Sequence, residues 1–136
     1  MNVENKLPPV VPGIFVDKEY PELLGGHCPI CDLYQFPKSE RCCRCFGQVD
    51  DAALGGSGAV YSVTTIRSKP PLGLPMPYRV GYVDLERVPL RVFALIDPAL
   101  DRSPEIGQRV QLAVSPMGEN ALGQPCRRPY FTTVNS

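Results

Sequence analysis

The sequence predicts a mostly β protein in which a small cysteine ribbon precedes a five-stranded barrel. Two C-x2-C pairs lie close together in the first third of the chain, and several short β-branched or aromatic runs follow them. The 136 residues include 16 prolines and 12 glycines, which favour short strands joined by turns over long helices. Hydrophobic residues make up 43% of the chain, enough to supply a core.

Residues 1–25 are predicted to form an N-terminal arm and a short helix. The first 13 residues are rich in proline and expected to be extended. Residues 14–25 (IFVDKEYPELLG) are expected to contain a helix broken near Pro21. The start lacks the basic and apolar segments of a signal peptide, and no apolar run approaches the roughly 20 residues of a membrane span. We therefore expect a cytoplasmic protein with reduced thiols and no membrane contact.

Residues 26–50 are predicted to form a rubredoxin-like zinc ribbon. Two C-x2-C pairs separated by ten residues place four thiolates tetrahedrally around one ion. The expected ligands are Cys28, Cys31, Cys42 and Cys45. Four cysteines leave no open coordination position, so the predicted Zn2+ is structural; iron in the same sulfur geometry remains an alternative.

Two neighbouring residues complicate the choice of ligands. Cys43 is adjacent to Cys42 and is an alternative ligand, but it would leave a C-x-C pair with Cys45. We therefore favour Cys42. His27 precedes the first cysteine and is interpreted as a surface histidine rather than a ligand.

Residues 51–136 are predicted to form the barrel. Residues 48–58 contain many small residues and are interpreted as a linker or turn. Five runs with strand character follow, at 59–66, 78–85, 88–97, 109–114 and 129–134. Five short strands in about 80 residues are typical of an OB-fold. We expect ribbon and barrel to bury separate cores.

A local excess of positive charge marks one part of the predicted barrel. No acidic residue occurs between Asp51 and Asp84, whereas this stretch contains Arg67, Lys69 and Arg79. These cations suit phosphates or an acidic partner, although three unrelated solvated charges are an equal alternative. A smaller basic candidate is the pair at 127 and 128. Four aromatics, at 15, 34, 36 and 46, either close the core of the ribbon or form a docking surface.

Residues suited to catalysis are few. His27 is the only histidine, and Cys126 has no base beside it in the sequence. We therefore expect no catalytic residues in this chain. Fourteen basic residues balance fourteen acidic ones, which disfavours nucleic-acid binding.

The order of several short motifs resembles the zinc-ribbon plus OB-fold family of acyl-CoA-associated proteins. The motifs are Gly26-His27-Cys28, Phe36-Pro37, Gly58-Ala59-Val60-Tyr61, Pro77-Tyr78, Val83-Asp84-Leu85 and Ile106-Gly107 with Val110. A glycine usually follows each C-x2-C in this family, but here Asp32 and Phe46 stand at those positions, and Cys43 stands where proline is common.

The resemblance implies a non-catalytic subunit that accompanies a thiolase-fold protein in a hetero-oligomer and shares its CoA ester. A chain of this length is similar to the small subunit of a two-component thiolase, and the benzylsuccinyl-CoA type is one candidate. Arg67, Lys69 and Arg79 are then candidate CoA phosphate contacts. Two alternatives are a single-stranded nucleic-acid-binding protein and an independent enzyme or acyl-CoA-binding protein.

Overall fold

The computed structural model describes residues 7–68 and 71–134, and these ranges contain nine strands and a short 3-10 turn but no α-helix. The strands in chain order are β1 (Phe15–Val16), β2 (Glu22–Cys28), β3 (Leu33–Gln35), β4 (Asp50–Gly55), β5 (Ser57–Ile66), β6 (Tyr78–Leu85), β7 (Arg91–Ile96), β8 (Arg109–Glu119) and β9 (Pro125–Thr133). The 3-10 turn spans Pro71–Gly73. No helix long and apolar enough to cross a bilayer occurs in the described ranges.

The first four strands form one antiparallel sheet, in which β2 pairs with β1, β3 and β4. The short helix predicted within residues 14–25 is therefore wrong. Gly25 and Gly26 lower the helix propensity of this segment. They also permit close strand contacts, because a Cβ on Gly25 would lie 2.1 Å from the carbonyl oxygen of Gln35.

Residues 50–55 form β4 rather than part of the linker or turn predicted over residues 48–58. The backbone of β4 pairs with β2 from His27↔Asp50 to Leu23↔Gly55. Its apolar end is held by burial of Leu54, which is fully enclosed. A single residue, Gly56, separates β4 from β5, so the ribbon sheet continues almost directly into the barrel.

Strands β5 to β9 close a barrel in the order β5-β6-β7-β9-β8, with β8 pairing back to β5. The predicted mostly β fold and five-stranded OB-type barrel are confirmed. The β7–β9 contact is parallel and is recorded at one register pair, Ile96↔Phe131, whereas β8 and β9 form a long antiparallel hairpin.

The ribbon sheet and the barrel share one hydrophobic core, so the expectation of separate cores is wrong. Leu23 and Leu54 from the ribbon sheet belong to the same buried cluster as Ile96 and Phe131 of the barrel. The core is shared because only one residue separates β4 from β5, so the apolar end of β4 packs directly against the barrel. A second, small cluster contains Cys28, Cys42 and Val49 at the far end of the ribbon.

The N-terminal arm is fastened to the edge of β9 through Arg127. The amide of Val10 donates to the carbonyl of Arg127 at 2.9 Å, and the amide of Arg127 donates to the carbonyl of Pro8 at 2.8 Å. The Arg127 side chain donates to the carbonyl of Leu7 at 2.8 Å and forms an ion pair with Asp17. The guanidinium of Arg128 is buried and donates to the carbonyls at 117 and 119. Arg127 and Arg128 therefore stabilise the fold through contacts within the chain.

Candidate metal centre and ligand surfaces

The first cysteine pair lies on the tight turn between β2 and β3. The last residue of β2, Cys28, pairs with Leu33 of β3. The turn is closed because the amide of Asp32 donates to the carbonyl of Cys28 at 2.8 Å. Asp32 adopts a positive φ of 53°, and the amide of Cys31 donates to the Cys28 sulfur at 3.4 Å.

The second pair repeats this geometry. The amide of Phe46 donates to the carbonyl of Cys42 at 2.9 Å, and Phe46 has a positive φ of 59°. The amides of Arg44 and Gly47 donate to the sulfurs of Cys42 and Cys45 at 3.4 and 3.3 Å. Asp32 and Phe46 thus occupy the left-handed positions where glycine has no steric cost. Cys42 therefore occupies the position in the second turn that Cys28 occupies in the first.

The structure brings together the four cysteines that the spacing selected. The Sγ atoms of Cys28, Cys31, Cys42 and Cys45 all lie within 4.8 Å of one another, and those of Cys28 and Cys45 are 3.6 Å apart. A tetrahedron with Zn–S bonds of about 2.3 Å has edges of about 3.8 Å. The four sulfurs therefore lie close to the arrangement that a tetrahedral ion requires.

The thiol pKa values reflect four sulfurs packed together. Backbone amides of Cys45 and Arg44 lower the pKa of Cys42 to about 6. Desolvation, together with hydrogen bonds involving the other three thiols, raises the pKa of Cys31 to about 12. Four adjacent thiolates repel one another unless a cation lies between them, and a bound dication keeps coordinating thiols deprotonated. The donor set is therefore suited to Zn2+ or another thiophilic ion.

Cys43 and His27 lie outside this cluster. Cys43 is exposed, whereas Cys42 is completely buried. The Nε2 atom of His27 lies 2.7 Å from Oδ1 of Asp32, and the imidazole packs on the ring of Tyr34 at a centroid distance of 4.5 Å. His27 thus braces the first turn from outside the sulfur set.

The four N-terminal aromatics divide between core and surface. Phe15 is buried, and Tyr34 and Phe36 pack against the main core. The side chain of Phe46 is instead 74% exposed. Three of the four are therefore buried or packed against a core, but Tyr34 and Phe36 join the core shared with the barrel rather than a core of the ribbon alone.

The candidate CoA contacts are only partly described. Arg67 directly follows β5 and is exposed, while Arg79 lies on β6 opposite Thr65 near the same end of the hairpin. The Arg79 guanidinium donates to the carbonyl of Leu100 at 3.2 Å, at the margin of a polar cleft of about 390 Å³ formed mainly by residues 100–105. Lys69 lies outside the described residues.

Cys126 is completely buried within the β8–β9 hairpin, and its sulfur lies 3.6 Å from the carbonyl oxygen of Met117. It is far in sequence from His27, whose ring is already held by Asp32. Within the described residues this thiol has no solvent access of the kind that a nucleophile requires.

A cluster of exposed aromatic side chains on the barrel was missed by the sequence reasoning. Tyr82 and Phe93 are cross-strand partners on β6 and β7, and their rings meet edge to face at 5.3 Å. Tyr61 on β5 lies beneath the guanidinium of Arg91, 3.3 Å from the ring centroid. The period-two alternation of YRVGYVDL and RVFALI could have predicted that Tyr82 and Phe93 lie on the outer side of the barrel.

These features define a protein class: a four-cysteine ribbon joined through a common core to an OB-type barrel. Residues 51–115 match the family described as ChsH2, C-terminal OB-fold domain. A relative from Thauera aromatica, the benzoylsuccinyl-CoA thiolase subunit BbsA, is 32% identical over 110 residues, which cover 80% of this chain and 74% of that protein. The chain therefore belongs to the same family as this thiolase subunit, with a ChsH2-type OB-fold domain matched over residues 51–115.

A solved structure extends the likeness beyond the barrel. The structure named Ltp2-ChsH2(DUF35) aldolase superposes with a TM-score of 0.61 at 24% identity, covering 82% of this chain and 84% of that chain. At this identity the comparison supports the shared fold. The family expected from the sequence motifs is confirmed, with one difference in detail: the name of the Thauera relative carries a benzoyl rather than a benzyl group.

Proposed function

We propose that this chain is the non-catalytic, zinc-binding subunit of a thiolase-type complex that cleaves an acyl-CoA, by 3-oxoacyl-CoA thiolysis or a related C–C cleavage. The observation that carries the proposal is the 32% identity to a thiolase subunit across most of both chains. The partner is a thiolase-fold protein in a cytoplasmic hetero-oligomer. A site of four thiolates and the absence of disulfides among the described cysteines suit such a reducing compartment.

Within the described residues, the surroundings of Cys126 and His27 support a non-catalytic role. Thiolysis needs a reactive cysteine activated by a base, together with donors that stabilise an oxyanion. Cys126 is enclosed, and His27 is hydrogen-bonded to Asp32 on the ribbon. In the proposed complex, the partner supplies the catalytic cysteine.

The role proposed for Zn2+ is structural. Cys28, Cys31, Cys42 and Cys45 supply four sulfurs, so no position is left for water or substrate. The ion would hold together the two turns at an end of the ribbon where the buried cluster is small. Its contribution is the folding of this end.

We further propose that Arg67, Lys69 and Arg79 contact the CoA phosphates of an ester shared with the partner. The support is positional: Arg67 and Arg79 occupy the same end of the β5–β6 hairpin. A phosphate contact from arginine is a charge-assisted hydrogen bond of about 1.5–3 kcal/mol. Replacing Arg67 or Arg79 with Gln should therefore weaken CoA-ester binding by the complex about tenfold to a hundredfold, and the exposed ribbon residue Arg44 provides a matched Arg→Gln control.

The nucleic-acid alternative gains one supporting observation, the exposed aromatics on an OB-type barrel. Against it, Arg91, the cation beside these rings, is already paired with Asp84 at 2.6 Å, and the chain carries no net charge. A salt-dependent mobility shift with a single-stranded oligonucleotide tests this alternative directly. Turnover of an acyl-CoA by the isolated chain would instead support an independent enzyme.

The decisive experiment is reconstitution. The tagged chain is expressed in its native host, the co-purifying protein is identified, and both are then purified separately. Thiolysis of benzoylsuccinyl-CoA and of simpler 3-oxoacyl-CoA esters is measured with each protein alone and with the complex. We expect a thiolase-fold partner, activity that requires it, and no turnover by this chain alone. Turnover by this chain alone, or no complex with a thiolase-fold protein, would refute the proposal.

A further inference from the structure

Three exposed aromatic side chains on the outer side of the barrel have no role in the proposed metal or CoA sites. We call this surface the aromatic face; it consists of Tyr61, Tyr82 and Phe93, which are 49%, 44% and 58% exposed. Full burial of such a side chain removes about 150–250 Å² from water, so the three expose about 300 Å² of aromatic surface together. A patch of this size on a single chain is often functional.

The aromatic face continues into an apolar groove beside the N-terminal arm. Phe93 belongs to both surfaces, and the groove has a volume of about 210 Å³. The other lining residues are mostly apolar and include Val10, Ile14, Phe36, Leu95 and Pro129. Small-molecule sites usually occupy about 300–1,000 Å³, so this groove is too small to enclose an acyl-CoA. Its size suits a single large apolar side chain.

The ion pair beside the aromatic face, Arg91 with Asp84, is neutralised within the chain. Arg91 stacks on Tyr61 and pairs with Asp84, its cross-strand neighbour. A surface that covers the aromatic face therefore need supply no counter-charge for Arg91. This favours an uncharged protein surface over a phosphate backbone, which requires free cations.

We propose that the aromatic face and the apolar groove form the docking surface for the thiolase-fold partner, with one apolar side chain of the partner inserted into the groove. This inference rests on the proposed function, which supplies the partner. A standard interface buries about 800 Å² on each side, with a central cluster of well-packed anchors surrounded by a polar rim. The roughly 300 Å² of aromatic surface matches such a centre, and the groove matches the pocket that receives an anchor.

The test measures the affinity of the purified chain for its purified partner subunit by calorimetry. The first variant combines Tyr82→Ser with Phe93→Ser, which removes exposed rings and leaves the buried side of each strand intact. The second, Val10→Trp, fills the groove and keeps the surface apolar; the backbone hydrogen bond of Val10 is retained. Leu122→Ser is the control, because Leu122 is 81% exposed on the turn between β8 and β9.

We expect each of the two test variants to weaken binding about 30-fold or more, the effect of losing an interface hot spot, and the control to bind as the wild type does. Metal content and circular dichroism of each free variant confirm that its fold is retained. Wild-type affinity in both folded variants would overturn the docking surface and leave the proposed function standing. No complex even with the wild-type chain would overturn both. A wild-type dimer that Phe93→Ser dissociates would assign the surface to a second copy of this chain.

Discussion

The common core of ribbon and barrel predicts that damage to the ribbon sheet destabilises the barrel, and Leu54→Ala tests this directly. Leu54 lies on β4 and is fully buried in the cluster that contains Ile96 and Phe131. Its Cδ1 atom lies only 2.7 Å from where a Cβ on Gly25 would be, so backbone confines the site on that side. Because a confined site collapses poorly, we expect a loss of about 3 kcal/mol in the free energy of unfolding.

The chain carries its own probes for this experiment. Cys126 is completely buried in the barrel, and Cys42 is completely buried at the metal end of the ribbon. Brief alkylation at increasing urea concentrations, followed by peptide mass spectrometry, measures when each thiol becomes accessible. With a urea slope of about 2 kcal/mol per molar, Leu54→Ala should lower the midpoint for both thiols by about 1.5 M.

A matched substitution in the small cluster separates local from global effects. Val49 is 4% exposed and packs with Cys28 and Cys42 rather than with the barrel. Val49→Ala should therefore lower the midpoint for Cys42 while leaving that of Cys126 nearly unchanged. If Leu54→Ala leaves the Cys126 midpoint at its wild-type value, ribbon and barrel unfold independently and the reasoning fails.

Three further predictions concern the metal end and the contact between sheet and barrel. Cys42→Ser should abolish stoichiometric zinc binding and Cys43→Ser should leave it intact, as measured by elemental analysis; the reverse result would exchange the ligand assignment. Phe46→Gly should stabilise the metal-loaded protein by about 1 kcal/mol, because it relieves a positive φ of 59° while removing a mostly exposed side chain, and a lowered melting temperature would contradict this. Burial alone would raise the pKa of Glu22, but its hydrogen bond and ion pair with Arg87 at 2.7 Å outweigh this and lower it. Glu22→Gln should therefore cost about 0.5–1 kcal/mol at pH 7, and the difference from wild type should vanish as the pH falls through the folded-state pKa below 4.5; a difference that persists at lower pH would exclude the ion pair as its cause.

The strands of the barrel and the sulfur cluster were accessible from the sequence because both have short-range signatures. Residues 78–85 were predicted at the bounds that β6 has, since alternation and β-branched residues mark a half-buried strand. The C-x2-C turns are equally local, because two residues between cysteines suffice to define each turn.

The ribbon sheet was not predictable in the same way because its stability comes from distant pairings. The segment at 22–28 contains adjacent glycines that have low strand propensity, and it becomes a strand only because Gln35 and Ala52 approach it from both sides. Residues 48–58 were interpreted as a linker or turn because their many small residues give no sign of the partner strand. Alternation in β6 and β7 assigns Tyr82 and Phe93 to the side opposite the core, but only the fold shows that their side is left uncovered.

The single residue between β4 and β5 has a mechanical consequence. A flexible tether would let the cysteine end swing relative to the barrel, but Gly56 alone provides almost no slack, and a Cβ there would lie 2.2 Å from the carbonyl oxygen of Pro21. The short junction therefore restricts movement of the cysteine turns relative to the barrel. A partner that touched both the cysteine turns and the barrel would have to match their spacing, so we expect lengthening of this junction to weaken such a complex.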